Sequence, residues 1–135
     1  MSEFEHYCIQ QVAQLVLKRT NDAGEFECWI YNGPVKTKAR NGLQYGTVTK
    51  TIRRGDEVKK FNHFYAHRAV KLYAEHQVSN PRSVSHLCHQ TLCVNPEHLE
   101  FESTGINNNR KPCNRTGWCN QHTDSDDKLQ PSCFL

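Results

Sequence analysis

Cys88, Cys93 and His98 follow one another in "CHQTLCVNPEH" with four residues in each gap, and Cys28 lies upstream in "FECWIY". Three thiolates and one imidazole complete a tetrahedral zinc set, and four protein ligands leave the ion no open position, so its task is structural. Cys113, Cys119, His122 and Cys133 repeat that composition near the C-terminus, with a longer last gap. The two sets use six of the seven cysteines and leave only Cys8. Unrelated buried thiols would be the plain account. Clustering with histidine in a polar, helix-poor stretch favours metal instead, so two structural Zn²⁺ ions are expected. The C-terminal third has few large apolar residues, and its fold should then depend on metal binding.

His86 and Asn107 are left over by this ligand count, yet anything that fixes Cys88 and His98 would also hold them in place. Imidazole titrates near neutrality, so a neutral His86 could accept a proton at working pH.

The elements that must carry these residues can be read from pattern. Ser2 with Glu5 forms a capping box, and Phe4, Cys8, Val12 and Leu15 recur at helical spacing until Asn21-Asp22-Ala23-Gly24. Cys8 on that apolar stripe reads as a small buried hydrophobe. From Glu25 to about Val58 the pattern is that of strands: "FECWIY", the Asn32-Gly33-Pro34 turn, "VKTKAR", the hairpin signal Asn41-Gly42, then "LQYGTVTKTI". A two-residue hairpin would set Arg40 opposite Leu43, Lys38 opposite Tyr45 and Lys36 opposite Thr47. Lys36, Lys38, Arg40, Tyr45, Thr47 and Thr49 would then share one face.

Between Lys36 and Lys60 there are eight lysines or arginines, Lys50, Arg53 and Arg54 among them, against Asp56 and Glu57: a local balance of +6 in a chain of net +3. A cationic two-stranded ribbon suits the major groove of double-stranded DNA. An ordinary solvated sheet face has the same composition, and the hairpin alone does not decide between them. "NHFYAHRAVKLYAEH" (62–76) reads as a second helix capped by Asn62, with His63, His67 and His76 as surface or packing histidines. Asn80-Pro81 opens a loop, the chain beyond Asn109 is polar, and "DSDD" is too poor in ligands for a calcium loop.

The 135 residues are expected to form one domain, 1–135. No apolar run approaches the roughly 18 residues that suggest a membrane span. The acidic start, "MSEFEHYCIQQ", lacks the order of a signal peptide, so the cysteines are expected as metal ligands in an intracellular protein, with the nucleus left open.

The order of the chemistry-bearing residues resembles the His-Cys box homing endonucleases, a branch of the ββα-metal, HNH-like nucleases. "SHLCHQTLCVNPEHLEFES", Asn107 and Cys113 carry the resemblance, and "CVNPEHL" is also typical of phage HNH nucleases. It is dense over 85–113 and looser upstream through Cys28. The implied fold is α+β, a zinc-stapled ββα-metal nuclease with an antiparallel DNA-reading sheet (25–60) and few helices. The active site would occupy 85–113 and the second zinc region 113–133. The resemblance implies that His86 is the general base for water attacking a phosphodiester, and that Asn107 holds a single catalytic Mg²⁺.

The family also sets a cation, usually arginine, beside the scissile phosphate. No arginine here falls into register, and Lys60 is the candidate, with Lys59, Arg53 and Arg54 as rivals; lysine would give a point charge without the fork. His89 matches a commonly occupied position without a derivable role. Family members have a tail that embraces a partner subunit, whereas this chain stops at "PSCFL", so that contact is expected to be absent; a homodimer and a nicking monomer both stay open. The alternative is a non-catalytic zinc-stabilised DNA-binding module, as the Smad DNA-binding domain resembles. A zinc-stapled protein-interaction domain is a third reading. Keeping both His86 and Asn107 distinguishes the nuclease, whose cleavage should rise with pH as imidazole loses its proton.

Overall fold

Phe4, Cys8, Ile9, Val12, Ala13 and Val16 recur at three- and four-residue spacing, and that stripe is what α1 (Glu3–Lys18) buries. The computed structural model describes residues 3–21, 23–37 and 42–102. The stripe packs on α2 (Ala66–Ala74), which supplies Ala66, Ala69, Val70 and Leu72 to the same core. Beneath the helices runs an antiparallel sheet of β1 (Val35–Thr37), β2 (Gln44–Arg54) and β3 (Glu57–Tyr65), in that spatial order. Val48, Ile52 and Phe61 are its contribution to the core. A second antiparallel pair, β4 (Ser83–His86) and β5 (Leu99–Glu102), frames the cysteine loop, which ends in a 3-10 turn at Pro96–His98. The chain is thus a small α+β protein with antiparallel sheets.

Three sequence expectations need correction. "FECWIY" is not a strand. It makes only the isolated bridges Thr20–Tyr31 and Ile30–Cys93, because its backbone is shared among partners. The Tyr31 amide donates to Leu92, the Asn32 amide to Arg19, and Trp29 accepts from the Val94 amide.

The β1–β2 register is displaced by two residues: Lys36 faces Tyr45, not Thr47, and Thr37 faces Gln44. What fixes it lies outside the hairpin. Buried Tyr31 donates its hydroxyl to the Thr47 carbonyl at 2.9 Å, and the Thr47 amide donates to Pro34. Gly46 lies flat on the Tyr31 ring, where any Cβ would overlap it. A slip of two preserves the faces, so Lys36 and Tyr45 still share one. Thr47, however, is 2 % exposed, so it cannot belong to a solvent-facing reading surface.

The expected helix start at Asn62 is instead part of β3. The missed turn is Gly55-Asp56, with Gly55 at φ 61°, the left-handed value that the first residue of a tight two-residue hairpin turn can demand. The ladder then passes from Lys50–Phe61 to Val48–Phe64, leaving Asn62 and His63 to oppose Thr49. His63 sits at φ 51° and its amide donates to the Thr49 hydroxyl at 3.1 Å, which stabilises the bulge. The extra residue brings Phe61 and Phe64 edge to face, centroids 5.2 Å apart. The helix begins only at Ala66, with Tyr65 as its cap residue.

Candidate functional site

Asn95 prepares the cysteine loop. It is fully buried, and its amide nitrogen donates to the carbonyls of Glu25 and Glu27 at 2.9 and 2.8 Å. Its oxygen accepts from the Glu97 amide at 3.0 Å, so it caps the Pro96–His98 turn while binding the upstream loop that presents Cys28. All the polar capacity that matters at this buried site is thereby used. Asn95→Ala should destabilise the protein by about 3 kcal/mol, since two carbonyls and an amide lose their partner together. It should also weaken zinc retention, read by urea melts and by competition with a chromogenic chelator.

With that loop in place, the ligand atoms of Cys28, Cys88, Cys93 and His98 all lie within 4.8 Å of one another. His98 Nδ1 is 3.6 Å from the sulfurs of both Cys28 and Cys93. Zinc bonds of about 2.3 Å to sulfur and about 2.05 Å to nitrogen, set tetrahedrally, require a sulfur–nitrogen separation of about 3.6 Å. The outer nitrogen of His98 is 3.1 Å from the Phe26 carbonyl; donating to it leaves the Nδ1 lone pair facing the sulfurs.

The thiols carry the same message. The Cys93 thiol is pulled down by a hydrogen bond from Cys88, helped by backbone amides. That interaction pushes Cys88 up, with burial adding to it, while burial first and the Cys93 charge after it raise Cys28. One thiolate therefore opposes the next, and a bound cation is what lets three form together. The residues fit zinc, and the first ligand set read from the sequence is assembled as expected. Cys8 lies apart in the helical core, fully buried.

His86 ends β4, opposite Leu99. One of its nitrogens donates to the carbonyl of the zinc ligand Cys93. Nε2 has no hydrogen-bond partner and is buried, so Nδ1 is the donor and Nε2 carries a bare lone pair. Burial lowers the imidazole to about 4, against the raising effect of the Cys93 carbonyl, with His89 adding to the fall. The rings of His67 and Tyr45 stand 4.3 and 6.2 Å away. Tyr45 is therefore half turned inward on this cluster.

The other expected site residues are scattered. Lys36, opposite Tyr45, is exposed. Thr49 is exposed but committed to the bulge. Lys50, Arg53, Lys59 and Lys60 are exposed along the β2–β3 hairpin. Arg54 leans on α1, paired with Glu3 at 3.1 Å and set 5.0 Å over the Tyr7 ring. Lys60 pairs with Thr51, five residues along β3 from Tyr65, or about 16 Å. Lys38, Arg40, Asn107, Cys113, Cys119, His122 and Cys133 lie outside the described residues. Two contributors were not foreseen. Asn95 was legible as an asparagine before an N1 proline, a helix-start signal. His67, expected to be a packing or surface histidine, carries no sequence mark that separates it from one.

A family model described as the zinc-binding loop region of homing endonuclease matches residues 27–135, taking in the four-residue knot and the strands β1–β5 and leaving α1 outside. No curated protein and no solved structure gives a match. Among the described residues no helix is long and apolar enough to cross a membrane.

Proposed function

Because this chain belongs to the family defined by the zinc-binding loop region of homing endonucleases, we propose that it is a metal-dependent DNA endonuclease. In this reading His86 takes the proton of the water that attacks the phosphodiester. The observation that carries it is the lone pair on His86 Nε2, aimed by a bond from Nδ1 to a carbonyl of the zinc knot. A general base has to be a fixed, neutral acceptor before substrate arrives, and this ring is one. In this reading the antiparallel pair β4–β5, with the ligand loop between, would serve as the ββ portion of a ββα-metal site, and the segment with Asn107 follows β5 in sequence.

Asn107 would hold the Mg²⁺, which when bound supplies positive charge to the phosphate and the leaving oxygen. The set Cys113, Cys119, His122 and Cys133 would hold a second structural zinc. Double-stranded DNA would meet the β1–β2 ribbon through Lys36, Lys38 and Arg40 and the outer hairpin through Lys50, Arg53 and Lys60, largely by phosphate contacts. Lys36 is a better phosphate-contacting cation than Lys60, since the register sets it directly across from the tyrosine that flanks His86.

The test is incubation of zinc-loaded protein with a pool of supercoiled plasmids carrying randomised inserts, in Mg²⁺, with sequencing of the ends produced. Mg²⁺-dependent nicks enriched at particular inserts are expected, and the ratio of nicked to linear product separates a monomer from a homodimer. DNA that is bound and never cut, across the whole pool, would overturn the proposal in favour of a binding module.

A further inference from the structure

His67, in the first turn of α2, is 6 % exposed and lies with its ring 4.3 Å from that of His86, the planes inclined by 45°. Tyr65 and Tyr45 close around it, with centroids at 5.5 and 6.2 Å. Each imidazole commits one N–H to a backbone carbonyl, His67 to Val84 and His86 to Cys93. The remaining nitrogens, Nδ1 of His67 and Nε2 of His86, are buried without any hydrogen-bond partner. Two neutral imidazoles in these tautomers cannot satisfy each other, for neither has a hydrogen left to give. Buried polar atoms nearly always find partners, so two bare acceptors on neighbouring rings mark a place shaped for a donor that comes with the reaction. A histidine that merely fills the core would have both nitrogens bonded or one in solvent.

We infer that His67 is a positioning residue of the nuclease site, its Nδ1 accepting a hydrogen bond from the attacking water while the other proton of that water passes to His86 Nε2. The inference rests on the nuclease reading above. Held by a single acceptor, water swings about that one hydrogen bond; held by two, it has only lone pairs left to present to phosphorus. In the step, the water oxygen forms a bond to phosphorus and the bond from phosphorus to the 3′-oxygen breaks, the 3′-oxygen leaving with the electron pair. One proton ends on His86 Nε2. The other stays on the former water oxygen, bonded to His67, as the hydroxyl of the new 5′-phosphate.

The experiment compares wild type with His67→Phe, which keeps the bulk and removes the acceptor, and His67→Gln, which restores one. With zinc content verified, His67→Phe should lose roughly 10- to 100-fold in kcat with KM unchanged, and His67→Gln should recover most of that loss. In His67→Ala, added imidazole should restore cleavage and pyrrole should not, since pyrrole fills the same space but has no lone pair to offer. The alanine comparison decides the matter should the phenylalanine variant lose its zinc. The inference is overturned if wild type cuts and His67→Phe matches it within twofold, or if pyrrole rescues as well as imidazole. Wild type that never cuts overturns the nuclease reading itself and takes this inference with it.

Discussion

His86→Ala should cleave DNA about 10²- to 10⁴-fold more slowly than wild type, the usual contribution of a positioned general base, while keeping its zinc. The ring's one hydrogen bond goes to the Cys93 carbonyl, not to a ligand atom, so the four ligands survive its removal. DNA affinity should change little, since the cations of the ribbon and the outer hairpin stay where they were. Equal cleavage rates in wild type and variant, at matched zinc content, would remove His86 as the base.

The pH profile expected of an ordinary imidazole shifts for the same reason. A base works when deprotonated, so the rate climbs with pH to its pKa and then levels. Burial pulls His86 down to about 4, which moves the climb below the neutral range. Between pH 6 and 8, with metal saturating, the rate should be level with respect to this group, in place of the rise an unperturbed histidine implies. A rise of about threefold between pH 6 and 7 that levels by pH 8 would show a base with an ordinary imidazole pKa, and therefore a different or differently exposed group.

Stripping the zinc, or replacing Cys93 with serine, should unfold one part of the molecule and spare the other. Zinc-finger peptides gain about 10–16 kcal/mol from their metal, comparable with the whole stability of a typical domain, about 5–15 kcal/mol. The loop has little to set against such a loss. Among the described residues the apolar ones buried around it and outside the helix–sheet core are few, chiefly Val84, Leu87 and Leu99. Phe4, Val12, Val16, Ile52, Phe61 and Leu72 belong to that core, which Val94 joins from the loop. Chelation should thus leave most of the helical circular dichroism and raise proteolysis in 23–32 and 83–102. It should also release Trp29, whose indole donates to the Gly24 carbonyl, read by fluorescence in a Trp118→Phe background. Loss of the helices in parallel with the loop would show that the two regions unfold as one.

What could be read from the sequence follows the range of the forces involved. The first zinc set was legible because few residue types bind the ion, and Cys88, Cys93 and His98 share one short loop. With Cys8 placed on the α1 stripe and three cysteines in the C-terminal set, Cys28 was the one left to complete it. The stripe of α1 was legible because burial and periodicity coincide. The β1–β2 register was not, because it depends on Tyr31 beneath Gly46, a contact between segments that no hairpin rule contains. Strand β3 was hidden by its own bulge, which breaks the alternation at Asn62-His63 and imitates a helix cap. His67 was hidden for a plainer reason: its meaning comes from the ring it faces, and that ring arrives from β4.

The Thr91 hydroxyl donates to the Gln44 carbonyl, and Leu92 accepts from Tyr31, whose hydroxyl holds the Thr47 carbonyl, so the ligand loop is tied to β2 both directly and through Tyr31. Loop and ribbon are in effect one casting. Whatever the ribbon reads beyond Thr37–Gln44, the bond cut should fall at a constant offset from it. The ribbon's outer residues could then diversify freely to address new sequences, with the cutting position travelling along unchanged. Grafts confined beyond that pair should retarget the protein, whereas grafts reaching inward to Gln44 or Tyr45 should shift or abolish the cut.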